Sequence, residues 1–271
     1  MPGLTAQVET HSIVIAIGGV SVRVNTIDAN FIELLQNRYA GFVSNEADCE
    51  FDFDVELARP EGTDPDADVR VTHHSGRWLL ERGDFRAEWD PAARRGSIRQ
   101  TANPYSIDAV LRIVHTLVLA RQGGFLLHSA SAIRNRKAFL FAGVSGAGKT
   151  TISRLAPPDA TLLTDEISYV RKQEDSYAAY GTPFTGELAK LGENASAPVA
   201  ALYLLAQGPE NRIESVSAAD AGRELLANTL FFADDPHSVQ QVFQSACDFV
   251  RRVPVFRLTF VPDARVWEMI G

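Results

Sequence analysis

Eight consecutive residues, Gly143-Val144-Ser145-Gly146-Ala147-Gly148-Lys149-Thr150, have the types and spacing of a phosphate cradle. They fit G-x-x-x-x-G-K-[ST], with Gly146 as a third glycine. Glycines let the backbone turn tightly enough for successive N–H groups to converge on phosphate oxygens. The lysine then reaches the outer phosphates, and the hydroxyl after it ligates magnesium. On this reading residues 143–151, ending at Thr151, bind ATP, Lys149 contacts the β- and γ-phosphates, and Thr150 is a ligand of Mg2+. The flanks agree: apolar residues 138–142 run into the loop as a strand, and Thr151, Ile152 and Leu155 open a helix after it.

A phosphate cradle binds nucleotide but does not by itself position a metal or activate an acceptor, so acidic residues are needed. Asp165 and Glu166 follow the strand-like residues 161–164. Both carboxylates would then stand at the C-terminal end of a strand, where open α/β sheets place their ligands. A helix cap or surface turn is the plainer alternative for such a pair. His128, in Leu126-Leu127-His128-Ser129-Ala130, aligns by alternation with Leu126, Ala130 and Ala132. A hydrogen-bonded core histidine and a site residue both fit that placement.

These residues need a scaffold, and the chain is long enough for one: 271 residues, 45% of them hydrophobic, can build a buried core. The formal charge of -8, from 34 acidic against 26 basic residues, argues against nucleic acid or an anionic membrane as the main partner. No apolar run approaches the ~20 residues of a membrane-spanning helix. The first twenty residues lack the pattern of a secretory signal, so a cytoplasmic protein is expected. Cys49 and Cys247 are far apart, which suggests two buried thiols rather than a disulfide framework or a zinc site.

The pattern along the chain divides in two. Residues 12–25 alternate across Gly18-Gly19 as a hairpin, residues 28–39 carry Phe31, Leu34 and Leu35 at helical spacing, and Phe51, Phe53, Val55 and Leu57 alternate as a strand. Residues 59–68, rich in Pro, Gly and acids, read as a solvated loop. Strands are expected at 69–71, 78–81, 85–89 and 97–100. The texture then changes to a helix with Ile107, Val110, Leu111, Val114 and Leu117 on a broad face, running towards Gly123-Gly124. Strands at 125–133, 138–142, 162–164 and 199–206 alternate with helices, one capped by Ser217 and running to Phe231, another begun by Asp235-Pro236. A strand at 254–260 follows, with Trp267 and Ile270 packing back as a cap. The expectation is an α/β protein: residues 1–103 as a smaller β-rich subdomain for substrate recognition, and residues 104–271 as a catalytic domain with a mixed sheet and flanking helices.

Three runs, Phe125-Leu126-Leu127-His128-Ser129-Ala130, Phe139 through Thr150, and Leu163-Thr164-Asp165-Glu166, resemble the catalytic domain of HPr kinase/phosphorylase. They look most like its divergent relatives, a group that includes lasso-peptide precursor kinases and shares a nucleotide-site plan with phosphoenolpyruvate carboxykinase. Gly181-Thr182-Pro183-Phe184-Thr185-Gly186-Glu187 and Val253-Pro254-Val255-Phe256-Arg257-Leu258 resemble segments of the same relatives. The resemblance implies a P-loop kinase core in which Asp165 is the base that accepts the acceptor's proton, Glu166 helps hold Mg2+, and His128 lies beside the pair and tunes it. It departs from the family in having Glu as the second acid and Thr151 after the cradle. The phosphorylase signature loop is absent, so phosphorolysis is not expected, and the first hundred residues do not match HPr kinases, so HPr is not the expected acceptor.

The expected function is transfer of the γ-phosphate of ATP, with Mg2+, to a Ser or Thr hydroxyl of a peptide or protein, or to a small alcohol. Two alternatives stay open: an ATP-binding regulatory or assembly protein without transfer, and a small-molecule phosphotransferase. The sequence has no Asn-Lys-x-Asp guanine motif and no Leu-Ser-Gly-Gly-Gln transporter signature. The sequence leaves homo-oligomerisation undecided.

Overall fold

A computed structural model describes residues 9–58, 67–188 and 192–271, so most of the expected loop at 59–68 lies outside the described residues. The chain divides into two compact units, Met1–Leu111 and Arg112–Gly271. The class is mixed α/β, with a β-rich N-terminal region.

The first unit begins with β1 (His11–Ile17) and β2 (Val20–Thr26), an antiparallel hairpin in perfect register. Gly18 and Gly19, at φ 61° and 78°, supply the two left-handed residues that its two-residue turn demands. α1 (Ala29–Arg38) starts where Asp28 accepts the N–H of Phe31 at 2.9 Å, and it buries Phe31, Ile32 and Leu35. β3 (Val43–Ser44), β4 (Phe51–Leu57), β5 (Arg70–His74), β6 (Arg77–Arg82), β7 (Phe85–Asp90) and β8 (Arg95–Gln100) complete an eight-stranded sheet. Its order is β3-β1-β2-β4-β8-β7-β6-β5. Alternation sends Phe53, Val55, Trp78, Leu80, Ala87 and Trp89 inward and the charged residues between them outward. α2 (Pro104–Arg121) follows and runs across the division between the units.

The second unit contains β9 (Phe125–Arg134), β10 (Lys137–Ala142), α3 (Lys149–Arg154), β11 (Thr161–Thr164), β12 (Ile167–Lys172), β13 (Tyr177–Tyr180), β14 (Ser196–Gln207) and β15 (Arg212–Ser215). Then come α4 (Ala218–Asn228), β16 (Thr229–Leu230), α5 (Pro236–Arg252), β17 (Val255–Phe260) and a closing 3-10 helix, Ala264–Met269. The helix expected to reach Phe231 stops at Asn228, because Thr229 and Leu230 pair with β9 instead. β12, β13, β15 and β16 were not anticipated. β14 runs parallel to both β10 and β17, whereas the other pairings of this unit are antiparallel, so the sheet is mixed.

Both faces of this sheet are covered, which is why its strands read as nearly continuous apolar runs. Leu140 and Ala142 of β10, with Leu202 and Leu204 of β14, pack against Leu225 of α4 and Phe249 of α5. The alternate residues, Phe139, Phe141, Ala201, Tyr203 and Leu205, join Ile152 of α3 with Trp267 and Ile270 of the tail. Trp267 also donates its indole N–H to the carbonyl of Ile152 at 3.0 Å, so the tail braces the short helix after the glycine loop. Cys49 is buried and Cys247 only partly so; both are free thiols. Among the described residues no helix is long and apolar enough to cross a membrane.

Candidate functional site

The loop at residues 143–148 joins the end of β10 to the start of α3, as its sequence predicts. Gly146 and Gly148 have φ of 79° and 113°, and a methyl group on Gly148 would stand 2.7 Å from the ring of Phe260, so only glycine fits there. The loop closes on itself through Ala147 N–H to Val144 C=O at 3.0 Å. Among the described residues the N–H groups of Gly146, Gly148, Lys149 and Thr150 have no protein acceptor, leaving a row of donors for an anion. Gln207, at the end of the neighbouring parallel strand β14, donates its side-chain amide to the carbonyl of Gly146 at 2.7 Å and steadies the loop from the far side.

Lys149 is only 8% exposed, and its Nζ donates to the carbonyl of Gly143 at 3.0 Å. Burial lowers its pKa from the ordinary lysine value, while the carboxylates of Glu166 and Glu187 act in the opposite direction. The ammonium is thus poorly hydrated and poised beside two acids.

His128 is on β9, and its backbone pairs with Ile167 of β12, immediately after the acidic pair. Its Nε2 lies 3.5 Å from Oε1 of Glu166. Burial is the main cause of a lowered pKa at His128, reinforced by the charge of Lys149 and opposed by Glu166. His128 and Glu166 therefore do come together.

Asp165 does not join them. It is 2% exposed, and its two carboxylate oxygens accept the backbone N–H groups of Gly186 at 3.0 Å and Leu188 at 2.9 Å. Asp165, expected as the base that takes an acceptor's proton, here has both oxygens engaged by backbone N–H groups, one of them that of Gly186, which itself lines the cleft. The second acid of the cleft is Glu187, to which the sequence assigned no role. Its Oε2 accepts a hydrogen bond from Thr150 Oγ1 at 3.1 Å. Its signal in the sequence was its place at the end of Gly181-Thr182-Pro183-Phe184-Thr185-Gly186-Glu187, a segment that resembles the same relatives but is distant in sequence from the glycine loop.

His128, Lys149, Thr150, Glu166 and Glu187 line one open cleft of about 390 Å³, together with Ser145, Gly146, Gly148, Thr151 and Gly186. Three of the residues expected to contact nucleotide do not line it. Gly143 is covered by the loop, Ala147 packs into the apolar cluster around Ile152, and Val144 points to solvent at 74% exposure. No group of three or more His, Cys, Asp or Glu side chains suited to a metal occurs among the described residues.

Fold and cleft define a mixed α/β protein in which a glycine loop, a buried lysine and two carboxylates share one opening. The chain belongs to the family of the SynChlorMet cassette protein ScmC, whose model matches residues 97–271, a span that includes every residue of the cleft. No curated protein matches it. Among solved structures, the Hpr(Ser) kinase/phosphatase from Coxiella burnetii is similar at 10% identity and a TM-score of 0.27, covering 50% of this chain and 78% of that one.

Proposed function

We propose that this chain is an ATP-dependent phosphotransferase with an HPr-kinase-like P-loop core, acting on a Ser or Thr hydroxyl of a peptide or protein, or on a small alcohol. The observation that carries the reading is the row of N–H groups at Gly146, Gly148, Lys149 and Thr150, without an acceptor among the described residues, beside the Lys149 ammonium, all on a cleft that also holds Glu166 and Glu187. Such donors suit the β- and γ-phosphates of a nucleotide, and they need no rearrangement to meet negative charge. A cleft of about 390 Å³ also falls within the ~300–1,000 Å³ usual for small-molecule sites.

Magnesium fits the donor set. Thr150 Oγ1 and Glu187 Oε2 are 3.1 Å apart, close to the ~3.0 Å between adjacent oxygens of an octahedron with ~2.1 Å bonds. Thr150 and Glu187 would hold the ion, with Glu166 within the same cleft. When bound, it neutralises charge on the β- and γ-phosphates. Glu166 is the base in this reading: it is the carboxylate that both faces the cleft and has His128 beside it. The acceptor hydroxyl gives its proton to Glu166 as its oxygen bonds to the γ-phosphorus, and the bond to the ADP oxygen breaks. Lys149 stabilises the departing charge.

The test has two arms. Mg2+ with ATP at about a hundred times its dissociation constant should stabilise the protein by roughly 2.7 kcal/mol, seen as a raised melting temperature. Labelled ATP in a lysate of the source cells should label an acceptor when the protein is added. Stabilisation without any labelled acceptor would favour an ATP-responsive regulatory protein, and no stabilisation at millimolar ATP would overturn the nucleotide reading.

A further inference from the structure

Asp165 grips the backbone on either side of Glu187. Gly186 N–H reaches its Oδ1 at 3.0 Å and Leu188 N–H reaches its Oδ2 at 2.9 Å, so the residue between them is presented outward, where its carboxylate meets Thr150. Further contacts tie the same two segments. Thr164 Oγ1 accepts the N–H groups of Glu166 and Ile167, each at 3.2 Å, and lies 3.5 Å from the carbonyl of Phe184. Thr182 Oγ1 donates to the carbonyl of Ile167 at 2.8 Å, and the guanidinium of Arg112 sits 4.9 Å over the ring of buried Phe184. The turn carrying Glu166 and the loop carrying Glu187 are thus fastened together beneath the cleft. The carboxylates of both acids approach Gly186, where a methyl group would stand 2.6 Å from Glu166 Oε2 and 3.0 Å from Asp165 Oδ2.

We propose that Asp165 is a positioning residue that acts through Glu187, setting the hold of the Thr150–Glu187 pair on the divalent cation that accompanies a nucleotide. This rests on the reading of the cleft as a magnesium–nucleotide site. The chemistry requires a carboxylate at 165 because both of its oxygens accept. Asparagine offers one acceptor and an NH2 group that would face a backbone donor, leaving one amide of the loop unsatisfied. Residues that orient a metal ligand commonly change metal affinity by about 10–100-fold when altered.

The experiment uses the full chain with Asp165→Asn, Glu187→Gln and the double variant. A fluorescent ATP analogue is titrated with Mg2+ present and again in EDTA, and amide hydrogen exchange is followed at Gly186 and Leu188 without nucleotide. Each single variant should raise the Mg2+ concentration for half-maximal binding about tenfold or more, with binding in EDTA unchanged. The double variant should match Glu187→Gln alone, since a residue acting through Glu187 has nothing further to lose. Exchange at the two amides should accelerate in Asp165→Asn. Asp165→Glu, which keeps two acceptor oxygens but moves them by one methylene, should shift the Mg2+ midpoint in the same direction and serves if Asp165→Asn loses its folded transition. Additive effects in the double variant, or exchange unchanged in Asp165→Asn, would overturn the proposal. If the wild type binds no nucleotide, the proposed function falls and the metal clause with it, and the exchange result alone decides whether Asp165 grips the Glu187 loop.

Discussion

The hydroxyl of Thr150, the first turn of α3, donates to Oε2 of Glu187, which arrives on a loop far along the chain. Two oxygens that a divalent cation could share are already side by side. Thr150→Val should therefore weaken magnesium-dependent nucleotide binding by roughly tenfold or more, the scale of a lost ligand or its orienting partner. Titrating Mg2+ at fixed nucleotide reads this directly; an unchanged midpoint would remove Thr150 from the metal site.

Lys149 combines burial with a lowered pKa, so its charge is held at some cost to stability. Lys149→Met should lower transfer by a hundredfold or more, about the loss seen when one preorganised donor is removed from a reacting centre. The melting temperature should not fall, because the side chain's apolar stem is kept and a desolvated charge is removed. A variant that keeps wild-type turnover would show that Lys149 does not face the reacting phosphates.

If transfer occurs as proposed, His128 should set the acid limb of its pH profile. Its pKa lies below the ordinary 6.5, so the ring is neutral at pH 7 and protonates only as the pH falls beneath that value. Protonation would place a cation 3.5 Å from Glu166 and make that carboxylate a weaker base. Transfer should be flat through neutrality and decline below about pH 6.5. In His128→Asn the decline should move to lower pH with the plateau largely retained. An identical profile in the variant would assign the limb to another group.

His115 makes a separate prediction about stability. The ring is fully buried on α2, edge-on to Tyr169 at 5.4 Å, and burial lowers its pKa to about 3. Unfolded, the same ring takes up a proton near pH 6.5, so the unfolded state gains protons first as the pH falls. Stability contributed by the neutral ring is complete above pH 6.5 and is lost progressively towards pH 3, on the order of a few kcal/mol. Denaturant unfolding at pH 7 and pH 4 should show this slope, and His115→Leu should flatten it. A slope that persists unchanged in His115→Leu would place the acid sensitivity elsewhere.

The legible part of the fold was the part governed by local pattern. The β1–β2 hairpin needed only its alternation and Gly18-Gly19, and α4 and α5 were announced by their caps at Ser217 and Asp235. β12 and β13 escaped notice because both are buried almost throughout, so the two-residue period that marks a half-exposed strand is missing from them. β16 has only two residues and exists through its pairing with β9, which no local signal carries.

In the cleft, the amino-acid sequence by itself determined the loop: spacing of glycines, lysine and hydroxyl dictates a backbone shape, and that shape depends on neighbours a few residues away. It also located the acidic pair at a strand end. Tertiary structure alone decided which acid faces the cleft. Adjacent residues in a turn can swap outward and inward roles with a small change in backbone direction, and here the choice is made by the amides of Gly186 and Leu188, which draw Asp165 inward and leave Glu166 beside His128. The same long-range bonds bring Glu187 to Thr150, a meeting between chain segments that depends on closing a loop and so leaves no trace in the local pattern of either.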